Sequence, residues 1–171
     1  MSTRALIVAV TLALAAIIPA AARAADPNVR WADIVGIIQA GNAVGSGTGQ
    51  VLGGAQPWST TKGSATVNLN TGDIRFRVEG LVLAGGNAIG TRGTITEVRG
   101  TLVCDTDGSA GSGNSTLVDT TLVPLSAQGD AEFNGSVGPL PGACLAESDI
   151  AFLVRIGGSG RWIANGAVRR P

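Results

Sequence analysis

Gly63-Ser64-Ala65-Thr66-Val67-Asn68-Leu69-Asn70-Thr71-Gly72-Asp73-Ile74-Arg75-Phe76-Arg77-Val78-Glu79-Gly80-Leu81 is the stretch that decides the fold. Ala65, Val67 and Leu69 alternate with Ser64, Thr66, Asn68 and Asn70. Past the turn, Ile74, Phe76 and Val78 alternate with Arg75, Arg77 and Glu79. A repeat of two puts one set of side chains on each face of an extended chain, so both halves read as half-buried strands. Asn70-Thr71-Gly72 between them is turn chemistry, with Gly72 free to take a positive φ.

The same pattern continues outward with less regularity. Asp33–Ala40 and Ser46–Leu52 read as a first strand pair, and Gly93–Cys104 as a strand rich in Thr, Val and Ile. Thr116–Leu125 ends at Pro124 and suits a sheet edge, where a missing N–H does no harm. Asp130–Val137 and Arg161–Val168 are further strands, and Asp149–Ile156 is apolar enough to be covered on both faces. Glycine clusters at 53–54, 85–86, 108–113 and 157–160 separate them. No long apolar stripe of helical period follows residue 24. The expectation is an all-β protein: an antiparallel β-sandwich or small Greek-key barrel of about eight or nine short strands.

The first 24 residues read differently. Arg4 precedes an uncharged run from Ala5 to Ile18, Pro19 breaks it, and Ala22-Arg23-Ala24 carries small residues two apart. This is the pattern of a secretory signal peptide cleaved before Ala25. The run, about 14 residues, is shorter than the roughly 20 that span a bilayer. Residues 1–24 are therefore expected to leave as a signal, and residues 25–171 to form a single domain outside the cytoplasm, extracellular or periplasmic, with no membrane span. Lys62 is the only lysine beside many arginines, which suggests a GC-rich bacterial genome. An exported chain meets oxidising conditions, so Cys104 and Cys144 are expected to form one intrachain disulfide rather than stay as thiols or bridge two chains.

Composition excludes several chemistries. The 171 residues include no His, so His-based triads, His general bases and His-ligated metals are impossible. Formal charge is zero and no basic cluster exists, which leaves nucleic acid without an electrostatic footprint. Twenty-six Gly and only 14% charged residues point to a folded, loop-rich chain rather than a disordered one.

The remaining motifs are weak. Asp105-Thr106-Asp107-Gly108 resembles the opening of a calcium loop, but Thr116 stands where a bidentate Glu is needed. Asp105 and Asp107 are thus a faint metal candidate, and no metal or other cofactor is expected. Ser59-Thr60-Thr61-Lys62 matches S-x-x-K without its companion motifs, in a stretch that does not read as helix. Gly45-Ser46-Gly47-Thr48-Gly49 lacks the helix that would hold a phosphate. Carboxylates that could pair for acid–base work are Asp73, Glu79, Glu97, Asp119, Asp130, Glu132, Glu147 and Asp149, most of which read as solvated faces or turns. Trp58, after Pro57 in a loop-like stretch, is the ligand-binding candidate, because an exposed indole can stack on a sugar or small molecule. Trp162 and Trp31 read as packing residues.

The quoted hairpin resembles the G-x-A-x-V-x-L…G-x-I-x-F-x-V-x-G-L hairpin of chordin-type (CHRD) domains. Phe152–Ile156 with Gly160–Val168 resembles that family's closing strand pair. The resemblance implies a secreted all-β module and brings no residue roles. Gly100-Thr101-Leu102-Val103-Cys104-Asp105 is similar to segments of uncharacterised secreted bacterial proteins. The reading from sequence is a non-catalytic structural or binding module with an extracellular or cell-envelope partner. The alternatives are a carbohydrate- or small-ligand-binding β-sandwich and a His-independent hydrolase using paired carboxylates.

Overall fold

The computed structural model describes residues 26–145 and 149–170. The expected signal segment, 1–24, and Glu147 lie outside the described residues.

The diagnostic hairpin forms as its alternation dictates. Its strands, Lys62–Asn68 (β5) and Asp73–Glu79 (β6), pair Ala65 with Phe76 and Val67 with Ile74. Ala65, Val67, Ile74, Phe76 and Val78 are buried, whereas Arg75 and Arg77 face outward. In the turn, Asn68 Oδ1 accepts from the N–H groups of Asn70 and Thr71, and Gly72 takes φ 72°.

Around the hairpin the chain lays down Asn28–Gly36 (β1), short ribbons Ala43–Val44 (β2) with Val51–Leu52 (β3) and Trp58–Ser59 (β4) with Val82–Leu83 (β7), and the strands Glu97–Cys104 (β8), Thr116–Asp119 (β9), Val123–Pro124 (β10), Ala131–Ser136 (β11), Ile150–Ile156 (β12) and Trp162–Arg170 (β13). Among the described residues, nine strands form one antiparallel sheet in the order β10-β8-β12-β13-β1-β5-β6-β11, with β9 also on β8. β1 therefore sits between the central hairpin and the last strand.

This sheet is curled into a half-barrel. Phe152 on β12 and Phe76 on β6 lie four strand steps apart along the path. In a flat sheet that is about 19 Å. Their ring centroids are 5.7 Å apart, and Trp31 on β1 is also 5.7 Å from Phe152. One sheet thus supplies both facing surfaces of the core, where a sandwich would use two. The lumen is packed solid, with Phe76, Phe152, Ile34, Ile74, Leu102 and Ile163 all essentially inaccessible.

Two local expectations need correction. Asp33–Ala40 and Ser46–Leu52 do not pair: β1 begins at Asn28 and ends at Gly36, and Gly47–Gly49 is a 3₁₀ turn. A bulge between Trp31 and Ile34 breaks β1's alternation, so that Trp31 and Ile34 both point inward three residues apart. Thr116–Leu125 is two short strands rather than one, although both lie on β8 and Pro124 does occupy the edge strand. Cys104 and Cys144 form the disulfide, with Cα atoms 4.8 Å apart; it ties the end of β8 to the short 3₁₀ helix Gly142–Leu145. No helix among the described residues is long and apolar enough to cross a membrane.

Candidate functional site: an apolar cleft beside Trp58

Trp58 does not stand exposed in a loop. It is 5% accessible and lies in β4, opposite Leu83 of β7. The reason is tertiary. The Trp58 N–H donates to Ile37 O at 2.7 Å, while the Ile37 N–H donates to Ile163 O at 2.9 Å. Gly36 leaves no room for a Cβ against the Trp58 backbone, so only glycine allows so close an approach. The β4–β7 ribbon is thereby laid over one end of the half-barrel.

Between that ribbon and the sheet lies a cleft of about 400 Å³. Trp58, Leu83, Ile95 and Ile156 supply apolar walls, and Arg92 and Arg161 also line it. Its size falls within the roughly 300–1,000 Å³ typical of small-molecule sites. Each arginine is anchored by one backbone carbonyl: Arg92 Nη1 donates to Ile95 O and Arg161 Nη1 donates to Gly53 O, both at 2.7 Å. Neither takes part in an ion pair with a carboxylate among the described residues. An apolar floor with two unneutralised guanidinium groups can hold a small molecule without any acid–base chemistry.

The calcium-loop candidates end up in a different arrangement. Thr116, at the expected Glu position, is a β9 residue paired with Cys104, so no sequential twelve-residue cation loop exists. Asp149 comes instead from the position just before β12, and oxygens of Asp105, Asp107 and Asp149 lie within 4.8 Å of one another. Asp105 is buried and takes φ 57°. Asp105 Oδ1 accepts from Ala110 N–H, and Asp149 Oδ1 accepts from the N–H and hydroxyl of Thr106. The Ser109 N–H donates to Asp107 Oδ1 at 2.8 Å, and that bond, with one from the Ser109 side chain, holds the Asp107 carboxyl below the usual aspartate value. Three carboxylates suit a hard cation in principle. Here the hydrogen bonds they accept also account for the shape of the loop.

The other carboxylates have local partners. Glu79 pairs with Arg77, Asp119 lies between Arg99 and Arg155, Asp73 accepts from Thr71, and Asp130 Oδ1 accepts from the Gly80 N–H. Glu97 and Glu132 are exposed. Ser59 and Lys62 lie on successive strands rather than one helical turn. The Gly45–Gly49 segment is held by side chains opposite it: the Ser46 N–H donates to Ser115 Oγ and the Thr48 N–H to Asn114 Oδ1, both at 2.7 Å.

Sequence reasoning singled out Trp58 but missed Leu83, Ile95, Ile156, Arg92 and Arg161. They come from separate segments and carry no common local signal. No family model, curated protein or solved structure matches this chain.

Proposed function

We propose that this chain is a non-catalytic binding module, exported to an oxidising compartment, that holds a small apolar ligand in the cleft beside Trp58. The cleft is the observation that carries the reading: apolar walls from β4, β7, β12 and the 84–95 loop surround a volume of ligand size. Export is supported by the disulfide, which persists in oxidising surroundings. A sugar-stacking role fits less well, because at 5% accessibility Trp58 offers little ring face to a flat ligand.

Backbone amide shifts measured while a ten-carbon amphiphile is titrated in, below its micelle-forming concentration, test the reading. Shifts should concentrate at residues 54–58, 83, 88–95, 156 and 161. Ala88→Trp, at an exposed position on the cleft lining, should block binding and leave the melting temperature in place. Shifts scattered over the surface, or binding untouched by Ala88→Trp, would refute it.

A further inference from the structure

We infer that the cleft selects amphipathic anions: molecules with an apolar body and a single negatively charged head. The inference rests on the proposed function, since it assigns the ligand class of that same cleft. Its own basis is the placement of charge. Arg92 and Arg161 both line the cleft, one from the 84–95 loop and the other just before β13. Each uses Nη1 on a backbone carbonyl. A guanidinium has five N–H donors, so each keeps donors to spare for a ligand.

Four other arginines are handled differently, while Arg75 donates from Nε to Asn134 Oδ1 on the outer face of the sheet. Arg30, Arg77, Arg99 and Arg155 each face a carboxylate at 2.9–3.3 Å. Among the described residues the two arginines of the cleft have no such carboxylate, and their carbonyl anchors fix them without cancelling their charge. An apolar pocket rimmed by two oriented cations favours an anion attached to hydrocarbon over either a neutral chain or a cationic one. Half-buried Arg92 is partly shielded from water, which strengthens the preference.

Decanoate, decanol and decyltrimethylammonium share one apolar body and differ in the head. Titrated calorimetrically into the full chain below their micelle-forming concentrations, decanoate should bind about tenfold or more tighter than decanol, as expected for one charge-assisted hydrogen bond. Decyltrimethylammonium should bind weakest. Arg161→Gln keeps an amide donor for Gly53 O and should bring decanoate down towards decanol without altering decanol. Arg92→Lys, which keeps the charge, should retain most of the preference, whereas Arg92→Gln should lose it. Equal affinities for decanoate and decanol, or a ratio unchanged in both Gln variants, would overturn the selectivity and leave the apolar cleft standing. Failure of all three probes to bind would overturn the cleft itself.

Discussion

Replacing Gly100 tests the curl of the sheet directly. Gly100 is on β8 and Phe76 is on β6, five strand steps away along the sheet. A Cβ built at Gly100 would meet Phe76 Cδ1 and Phe152 Cζ at 2.8 Å and Phe76 Cε1 at 2.9 Å. Carbon atoms prefer roughly 3.5–4.0 Å, so the new methyl is short by most of an ångström against two rings at once. The rings cannot swing aside freely, because Phe76 also packs on Phe133 at 6.2 Å and Phe152 on Trp31. Overpacking of this kind costs about 1–3 kcal/mol, partly offset by about 0.4–1 kcal/mol from a stiffer unfolded chain. Gly100→Ala should lose about 1–2 kcal/mol, and Gly100→Val more. In a chain of this size that lowers the melting temperature by about 2–4 °C per kcal/mol. Gly142→Ala is the control, with nothing within 4 Å of its Cβ. Combining Gly100→Ala with Phe76→Leu should cost less than the two singly, by about 0.5 kcal/mol or more in urea titrations. Strict additivity, or a Gly100→Ala variant as stable as the control, would mean that β8 and β6 do not face each other and the half-barrel is wrong.

Three further outcomes follow from local geometry. The Cys104–Cys144 bond closes a separation of 40 residues, so Cys104→Ser should lose about 4 kcal/mol in the chain-entropy account, read as a melting point lower by roughly 10 °C, and reductant should reproduce the loss in the parent protein. Asp119 accepts from Thr101 Oγ1, which is buried, and stands between Arg99 and Arg155, directly opposed across β8 and β12. Asp119→Ala should cost about 2 kcal/mol by urea denaturation, mostly from the stranded hydroxyl, and Asp119→Asn about half that, because an amide oxygen still serves Thr101; equal losses would refute this division. Asp26 accepts from the Asn28 N–H and the Asn28 and Arg30 side chains, which together hold its carboxyl below the usual aspartate value. A depressed folded value means that this contribution is intact above about pH 4 and disappears as pH falls through the folded value; a carboxyl carbon-13 titration should place its midpoint below that of an unstructured aspartate, and an ordinary midpoint would contradict the contacts.

What could be read in advance was what local alternation encodes. The β5–β6 hairpin has five buried side chains at strict spacing, and β12 has Phe152, Leu153 and Val154 buried in succession, as a strand covered on both faces must. β1 was legible only in part. Val29 and Trp31 alternate properly with Asn28 and Arg30, but the bulge around Asp33 shifts the inward set by one and hides the continuity from any period-two reading. Strand order is a still less local property: β1 joins β5 to β13 by contacts that span most of the chain. The burial of Trp58 was hidden for a related reason. Its neighbours Gly53, Gly54 and Pro57 are loop residues, and its burial depends on Ile37 and Gly36, some twenty positions away. The same holds for Asp149, whose place beside Asp105 and Asp107 follows from the pairing of Ile150 with Cys104.

The position of the cleft follows from how the half-barrel is filled. Small closed barrels can hold a ligand in the lumen only if their inward side chains leave space. Here Trp31, Phe76, Phe152 and Leu102 occupy it, and even a methyl at Gly100 has no room. Space can then arise where a second element meets the sheet imperfectly, and the β4–β7 ribbon is one such element. The Gly54 N–H donates to Trp162 O on β13 and the Trp58 N–H to Ile37 O just past β1, fixing one side of the ribbon, while the 84–95 loop spans the other. The backbone of Gly53 bridges to Trp162, and its carbonyl receives the Arg161 guanidinium. One glycine thus seats the wall of the cleft and orients one of its cations, so a larger residue at position 53, which would strike Ile37 and the Asn42 carbonyl, should disturb shape and charge selectivity together. Arg161→Gln separates the two, because it removes the charge and leaves the Gly53 backbone where it is.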